Sequence, residues 1–241
     1  MISEKVHNVF ALLENSGVKY YLLRPIDLKK EITDIDLVIP REDFKKLLLF
    51  LKNKSSDIRF KFSPYNHTIK LFIDDLILDI QFFVAFLPRK SLILNKQPEY
   101  STVSHLKEHN LIVPEVSSET LFTLWTFRFL LDKEKVSDSD SFKIYKQLYE
   151  DSWHELSKSD YFSIWLSEIF GNQIEGAKKL IISFFENDFN DQNGKTNIAL
   201  QSLLFQERHF LKLKYMFDQM RFRLLRVLGK YSKFHPLDKL L

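Results

Sequence analysis

Two aspartates separated by one residue, Asp34 and Asp36, are the side chains of this sequence that first suggest chemistry. They alternate with the apolar Ile35 and Leu37 within residues 33–39, a pattern that predicts a β-strand. Because side chains alternate between the two faces of a strand, both carboxylates project from one face. Two like charges held this close repel each other unless a cation neutralises them, so the pair indicates a divalent-metal site. The alternative is a pair of solvated acids on an open strand face.

A third candidate, Asp79, lies inside another predicted strand, residues 76–83. One face of that strand is wholly apolar, whereas Asp79 and Gln81 interrupt the other face. The preceding Asp74-Asp75 pair is typical of a turn, which leaves it outside the site. An acid on a strand face, rather than in a solvated turn, favours a set of three cooperating carboxylates over isolated surface acids.

Basic side chains are predicted to border Asp79. A two-residue turn before the Asp79 strand sets Lys70 opposite Asp79 and places apolar residues opposite apolar residues. Extending this register by one more strand places Arg59 beside Lys70 and Lys61 beside Thr68. These cations predict either a phosphate-binding ledge, with Lys70 as its first member, or simple cross-strand charge pairing.

The elements that position these residues change in character partway along the chain. The first half predicts helices near 2–15 and 41–53, strands at 18–24, 33–39, 57–63, 66–73 and 76–83, and a weaker hairpin at 102–113. The second half predicts helices near 118–131, 139–150, 159–170, 173–187 and 198–229, with Trp125, Trp153 and Trp165 in their core. We therefore predict an α+β protein with a mixed-sheet domain at 1–116 and an all-α domain at 117–241.

The composition limits the chemistry open to this chain. Its 241 residues are 45% hydrophobic, enough for a substantial core, and its formal net charge of +3 indicates no global affinity for nucleic acid or membrane. The absence of cysteine excludes thiolate nucleophiles and cysteine zinc sites. With only 5 glycines, neither a P-loop nor a Rossmann motif occurs. No apolar stretch reaches the roughly 20 residues of a membrane span, and the N-terminus lacks a secretory core, so we expect a cytoplasmic protein.

The motifs Asp34-Ile35-Asp36-Leu37 and Leu78-Asp79-Ile80 resemble the signature of the nucleotidyltransferase fold of the DNA polymerase β superfamily. That signature is an acid-apolar-acid-apolar strand with a third acid on a neighbouring strand. The opening strand and the Pro-Arg-Glu-Asp helix start at 40–43 look most like bacterial nucleotidyltransferase-family proteins associated with surface polysaccharide synthesis. The similarity covers roughly residues 1–115 and implies a nucleotidyltransferase-like mixed sheet with flanking helices.

The resemblance also implies a function. It implies an enzyme that moves a nucleoside monophosphate from a nucleoside triphosphate, such as ATP, onto a hydroxyl acceptor, either a small molecule or a glycan-related compound. In the implied site Asp34 and Asp36 bridge two magnesium ions, and Asp79 ligates the ion that activates the acceptor hydroxyl. Asp79 is also expected to orient this hydroxyl or accept its proton.

One position departs from the signature that the chain resembles. The superfamily usually carries Gly-Ser or Gly-Gly roughly ten residues before the first aspartate, where backbone donors cradle the triphosphate, whereas this chain reads Leu23-Arg24-Pro25. The expected substitute is the Arg24 guanidinium, which can bind phosphate through two parallel hydrogen bonds. The alternative is a structural arginine at a strand end, with weak or absent nucleotide binding.

The last predicted helix combines an apolar stripe with many cations. The stripe comprises Phe210, Leu213, Phe217, Met220, Leu224 and Val227 or Leu228, and the cations include Arg221, Arg223 and Arg226. The helical spacing predicts that the stripe faces the core. The cations predict contact with RNA phosphates or an anionic membrane surface, against the alternative of a solvated helix face.

Two further functions stay open. The basic helix favours a toxin-like nucleotidyltransferase acting on tRNA, and the missing Gly-Ser element favours a non-catalytic nucleotidyltransferase-like scaffold.

Overall fold

The computed structural model describes residues 4–23, 32–53, 58–62, 68–73, 75–83, 85–86, 92–93, 102–106, 111–115, 117–132, 140–189, 195–227 and 233–236. The chain divides into two compact units, the first formed by Met1–Val84, Asn95–Ser117 and Arg221–Leu241, the second by Ala85–Leu94 and Ser118–Met220. The predicted boundary at 116 lies outside the described residues. In this division, residues 85–94 belong to the unit of helices and residues 221–241 to the unit of the sheet.

The helices and strands follow in chain order. The strands are β1 (Tyr21–Leu22), β2 (Asp34–Val38), β3 (Arg59–Phe62), β4 (Thr68–Ile73), β5 (Leu76–Gln81), β6 (Ala85–Phe86), β7 (Leu92–Ile93), β8 (Thr102–Leu106), β9 (Leu111–Glu115) and β10 (His235–Pro236). The helices are α1 (Glu4–Asn15), α2 (Arg41–Lys52), α3 (Ser118–Phe127), α4 (Asp140–Tyr149), α5 (Trp153–Leu156), α6 (Asp160–Phe170), α7 (Ile174–Glu186), α8 (Lys195–Glu207) and α9 (His209–Val227). A π-helical segment, Arg128–Asp132, continues α3.

Within the described residues, six strands form one mixed sheet in the order β1-β2-β5-β4-β3-β10. β2 and β5 run parallel, and the other neighbouring strands of this sheet run antiparallel. The chain leaves β2 through α2 and returns by β3 and β4 before β5 pairs with β2. The remaining strands form two separate ribbons, β6 with β7 and β8 with β9. Together with the helices, this architecture confirms the predicted α+β class.

One face of the six-stranded sheet forms the core of the first unit. Ile35 and Leu37 of β2 are buried there, as is Leu78 of β5. Helices α1 and α2 cover this face with Val6, Val9, Phe10, Leu13, Phe44, Leu47, Leu48 and Leu51. Because Ile35 and Leu37 alternate with Asp34 and Asp36, their burial sends both carboxylates to the opposite face.

Aromatic side chains fill the core of the second unit. Phe122 packs against Tyr145 with ring centroids 6.3 Å apart. The hydroxyls of Tyr145 and Thr126 lie 2.5 Å apart, so this buried phenol keeps a hydrogen bond. Burial raises the pKa of Tyr145 well above its ordinary value. The three tryptophans predicted in this core are buried: Trp125, Trp153 and Trp165.

The C-terminal helical stretch differs from the prediction in two ways. It is two helices, α8 and α9, separated at Arg208, whose guanidinium donates a hydrogen bond to the carbonyl of Glu168. The prediction that the apolar stripe of α9 faces the core is wrong, because its described side chains, Phe210 to Val227, are exposed, Phe210 at 86%. Leu211 is buried instead, so the helix turns a different side to the protein. No helix in the described segments combines the length and apolar character that crossing a bilayer requires.

Candidate functional site

The parallel pairing of β2 with β5 sets two of the predicted acids side by side. Asp36 is the Cα partner of Asp79, and Asp34 lies two residues before Asp36 on the same strand. Paired residues on neighbouring strands point to the same face, and the strands lie about 4.8 Å apart. The three carboxylates therefore share one face of the sheet, opposite the buried Ile35 and Leu37.

Lys70 is the cation next to this acid pair. β4 pairs with β5 in the predicted register, with Lys70 opposite Asp79. The Lys70 ammonium lies 3.0 Å from Asp79 Oδ2, and the two side chains are 33% and 16% exposed. In this partly buried setting the ion pair offsets part of the repulsion between Asp79 and the buried Asp36.

β3 extends the charged face, but in a register that differs from the predicted one. Lys61 pairs with Lys70 and Arg59 pairs with Phe72, so the predictions of Arg59 beside Lys70 and Lys61 beside Thr68 are wrong. The offset is two residues: the predicted register turns at Pro64-Tyr65, whereas β3 ends at Phe62 and β4 begins at Thr68. Since side chains alternate between faces, an offset of two keeps Arg59 and Lys61 on the face of the acids.

An aromatic residue near the C-terminus completes this part of the face. β10 pairs with β3, and Phe234, which directly precedes β10, packs on Phe72 with ring centroids 4.9 Å apart. Lys61 Nζ lies 3.6 Å from the Phe234 ring centroid, and Arg59 Cζ lies 4.9 Å from it. We call Arg59, Lys61, Phe72 and Phe234 the cation–aromatic shelf. Phe234 could not be predicted from the sequence, because a strand of 2 residues has no measurable hydrophobic period.

Tyr21 adds a polar group on the β1 side of the acids. It pairs with Val38, which shares the face of Asp36. Burial raises the pKa of Tyr21, and the Asp43 carboxylate raises it further. The pKa of Asp43 is itself lowered, chiefly by a hydrogen bond from Lys46, whose Nζ lies 2.6 Å from Asp43 Oδ1. Tyr21 therefore stays protonated at neutral pH and can donate a hydrogen bond.

The donor set fits a hard divalent cation in type, because carboxylate oxygens are the ligands that magnesium prefers. The sheet register also brings Asp36 next to Asp79. Within the part of the chain that the structure describes, however, no three acidic or histidine side chains are arranged to hold one ion. In the structure Asp79 Oδ2 is paired with Lys70, so joint ligation by the three acids requires their side chains to rearrange. Arg24, the predicted phosphate ligand, lies outside the described residues.

No family model and no curated protein matches the chain. Among solved structures, the chain is similar to the solution structure of the antibiotic-resistance factor ANT(2'')-Ia. That similarity has 13% sequence identity and a TM-score of 0.35, and it covers 76% of this chain and 91% of the other. What this chain does is therefore inferred from the register and the charged face of its own sheet.

Proposed function

We propose that this chain is a metal-dependent nucleotidyltransferase, which transfers a nucleoside monophosphate from a nucleoside triphosphate to a hydroxyl on a small-molecule or glycan-related acceptor. The observation that carries the proposal is the lateral pairing of Asp36 with Asp79, with Asp34 on the same face. Strands that bury their apolar residues on one side hold the three carboxylates on the other. This is the arrangement required by the resemblance to the nucleotidyltransferase fold.

The three acids divide the work of this reaction. Asp34 and Asp36 would hold magnesium from one strand and Asp79 from the next, and bound magnesium supplies stabilisation of charge on the phosphate oxygens. The acceptor oxygen forms a bond to the α-phosphorus, the bond from that phosphorus to the bridging oxygen breaks, and pyrophosphate leaves. Asp79 orients the acceptor hydroxyl and accepts its proton.

Lys70 has two partners in this proposal. In the structure its ammonium neutralises Asp79. If a divalent cation were held by that carboxylate, the ammonium could turn to the α-phosphate oxygens and offset the charge of the transition state there. Arg24, which follows β1 in the chain, is proposed to bind the triphosphate in place of the missing Gly-Ser backbone donors.

One observation favours a second function, a non-catalytic nucleotidyltransferase-like scaffold. The Lys70 ammonium, 3.0 Å from Asp79, already neutralises the third carboxylate, as an internal cation would in a protein that binds no metal. The segment Leu23-Arg24-Pro25 also stands where proteins of the resembled fold carry Gly-Ser. A scaffold keeps the ion pair permanently, whereas the enzyme exchanges it for metal.

Exposed cations on α9 favour a third candidate, transfer to tRNA. The side chains are Lys212, Lys214, Arg221, Arg223 and Arg226, all of them exposed. Cations in this number on one helix can neutralise several RNA phosphates. In this case the acceptor hydroxyl belongs to an RNA and not to a small molecule.

Isothermal titration with ATP, CTP, GTP and UTP separates the enzyme from the scaffold. The enzyme binds at least one nucleotide, with an affinity that falls when magnesium is omitted, whereas the scaffold binds none. Pyrophosphate release over a panel of hydroxyl acceptors then compares Asp79→Asn with Asp75→Asn, a control at a solvent-exposed acid nearby. We expect Asp79→Asn to abolish transfer in a folded protein and Asp75→Asn to retain it. Full activity in Asp79→Asn would remove Asp79 from the mechanism.

A further inference from the structure

The face of the sheet that carries the acids becomes basic toward one edge. Asp36, Asp79, Lys70 and Lys61 follow one another in a single lateral row across β2, β5, β4 and β3. The cation–aromatic shelf lies at the far end of this row. The charge therefore changes from negative to positive across four strands, about 14 Å at the ordinary strand spacing.

The shelf cations are not needed to neutralise the acids. Lys70 already has a carboxylate partner at 3.0 Å, whereas Arg59 and Lys61, among the described residues, contact the ring faces of Phe72 and Phe234. A ring face attracts a cation, but it does not supply the charge-assisted hydrogen bonds of an oxyanion. Arg59 is exposed and Lys61 is half-buried, so a ligand can reach both.

The order of the strands indicates which part of the sheet the acceptor covers. In the proposed function the triphosphate is bound by Arg24, which follows β1 in the chain, so we place the triphosphate on the β1 side of the acids. In-line displacement places the attacking hydroxyl and the departing pyrophosphate on opposite sides of the α-phosphorus. β1 flanks the acid-bearing strands on one side, and β4, β3 and β10 flank them on the other. An acceptor that approaches Asp79 opposite the triphosphate therefore extends over β4 and β3.

We propose that the acceptor is a phosphorylated small molecule, whose phosphate group is bound by Arg59 and Lys61. This inference rests on the proposed function and adds the chemical class of its acceptor. Lys61 lies two strands from Asp79, about 10 Å, which leaves room for a sugar-sized unit between the reacting hydroxyl and the bound phosphate. Phe72 and Phe234 hold the two cations in place. Like-charge repulsion from the shelf disfavours a polycationic acceptor.

Isothermal titration of the full chain without nucleotide tests this site. The probes are glycerol 3-phosphate and glucose 1-phosphate, compared with uncharged glycerol and glucose and with cationic glucosamine. We expect a phosphorylated probe to bind, and its affinity to fall at least tenfold in Arg59→Gln/Lys61→Gln. The control, Lys45→Gln/Lys158→Gln, removes two exposed cations outside the sheet and should bind normally. Failure of both phosphorylated probes to bind, or an equal loss in the control, overturns the inference.

Two further measurements complete this test. Circular dichroism checks that the double variant is folded, and the single variants Arg59→Gln and Lys61→Gln replace it if it is not. Titration with magnesium ATP should give the same affinity in the double variant and the wild type. A loss of nucleotide affinity with unchanged binding of the phosphorylated probes would assign the shelf to the triphosphate and overturn the inference. Phosphate binding by a wild type that binds no nucleoside triphosphate supports the site and overturns only the proposed function.

Discussion

Asp36 is a buried acid that lies beside a second acid. It is 7% exposed and lies directly beside Asp79 on the parallel strand. A buried carboxylate next to another destabilises the fold when no cation is bound, and the same repulsion strengthens the attraction of the pair for a divalent ion. The stability of the protein is therefore expected to depend on the metal.

Replacing Asp36 by Asn keeps the size of the side chain and removes one of the two neighbouring charges. We expect the metal-free variant to be more stable than the metal-free wild type by about 1 kcal/mol. Magnesium should raise the melting temperature of the wild type and leave that of the variant unchanged. Calorimetry in EDTA and in magnesium measures both effects. A variant less stable than the wild type in EDTA would show that Asp36 has a structural role instead.

Replacing Lys70 gives a second test of how the charges of the acids are neutralised. Replacing Lys70 by Met leaves the partly buried Asp79 without its cation, so we expect a loss of about 1 to 2 kcal/mol of unfolding free energy in EDTA. Magnesium should restore much of this loss, because the ion can neutralise the same carboxylate. Lys70→Arg, which keeps the charge, is the control and should lose little. Destabilisation that magnesium does not relieve would favour the scaffold.

At the scale of elements, a charged side chain in helix α2 makes the stability of the protein depend on pH. Its first turn carries Glu42 and Asp43, which suit the positive end of the helix dipole. The folded-state pKa of Asp43 is lowered, chiefly by the hydrogen bond from Lys46. The stabilisation from Asp43 is therefore fully present above its unfolded pKa, near 3.8, and is lost as the pH falls through the lower folded value.

The variant Asp43→Asn tests whether the Asp43 carboxylate stabilises the fold at neutral pH and ceases to do so in acid. We expect the variant to be about 1 kcal/mol less stable than the wild type at pH 7, because it loses the charged partner of Lys46 at the helix start. The difference should narrow as the pH falls below 3.8, where the wild-type carboxyl also becomes neutral. Urea unfolding at several pH values gives the comparison. A difference that stays constant down to the acid limit of the folded state would mean that the charge of Asp43 is not the cause.

Helix α9 distinguishes a small-molecule acceptor from tRNA. The proposed function expects Arg221→Gln/Arg223→Gln/Arg226→Gln to retain full transfer, because these side chains lie on an exposed helix and not among the acids. If tRNA is the acceptor, the triple variant should bind it more weakly, and the slope of log K against log salt should fall by about 3. Filter binding at several salt concentrations measures this slope. A large loss of tRNA binding together with loss of transfer would contradict the small-molecule acceptor.

Whether a strand pairing could be predicted from the sequence depends on how far apart the paired strands are along the chain. The register that places Lys70 opposite Asp79 could be predicted, because a tight turn and matched apolar residues fix it locally. The pairing of Lys61 with Lys70 could not, since the length of the preceding connection leaves no pattern. The parallel contact of Asp36 with Asp79 joins strands separated by a helix and two other strands, so the sequence predicted a shared face only through the resemblance to a known fold.

For the whole molecule, the hydrophobic period identified the α+β class but not which surfaces are covered. The burial of Leu37 follows from simple alternation in β2. The stripe of α9 has equally regular helical spacing, yet Phe210 and Val227 are 86% and 84% exposed. Periodicity shows that a helix has an apolar side, whereas tertiary packing decides whether this side meets the core. For the same reason, the contact of Phe234 with the sheet is visible only in the structure.

For the whole molecule, the proposed function requires that Asp34, Asp36 and Asp79 together hold a divalent cation. The most direct test is a titration with Mn²⁺, in which electron paramagnetic resonance counts the free ion, for the wild type, Asp36→Asn, Asp79→Asn and the control Asp75→Asn. We expect saturable binding by the wild type and the control, and affinity at least tenfold weaker in each of the other two variants. Equal Mn²⁺ binding by all four proteins, or binding by none of them, would contradict the account.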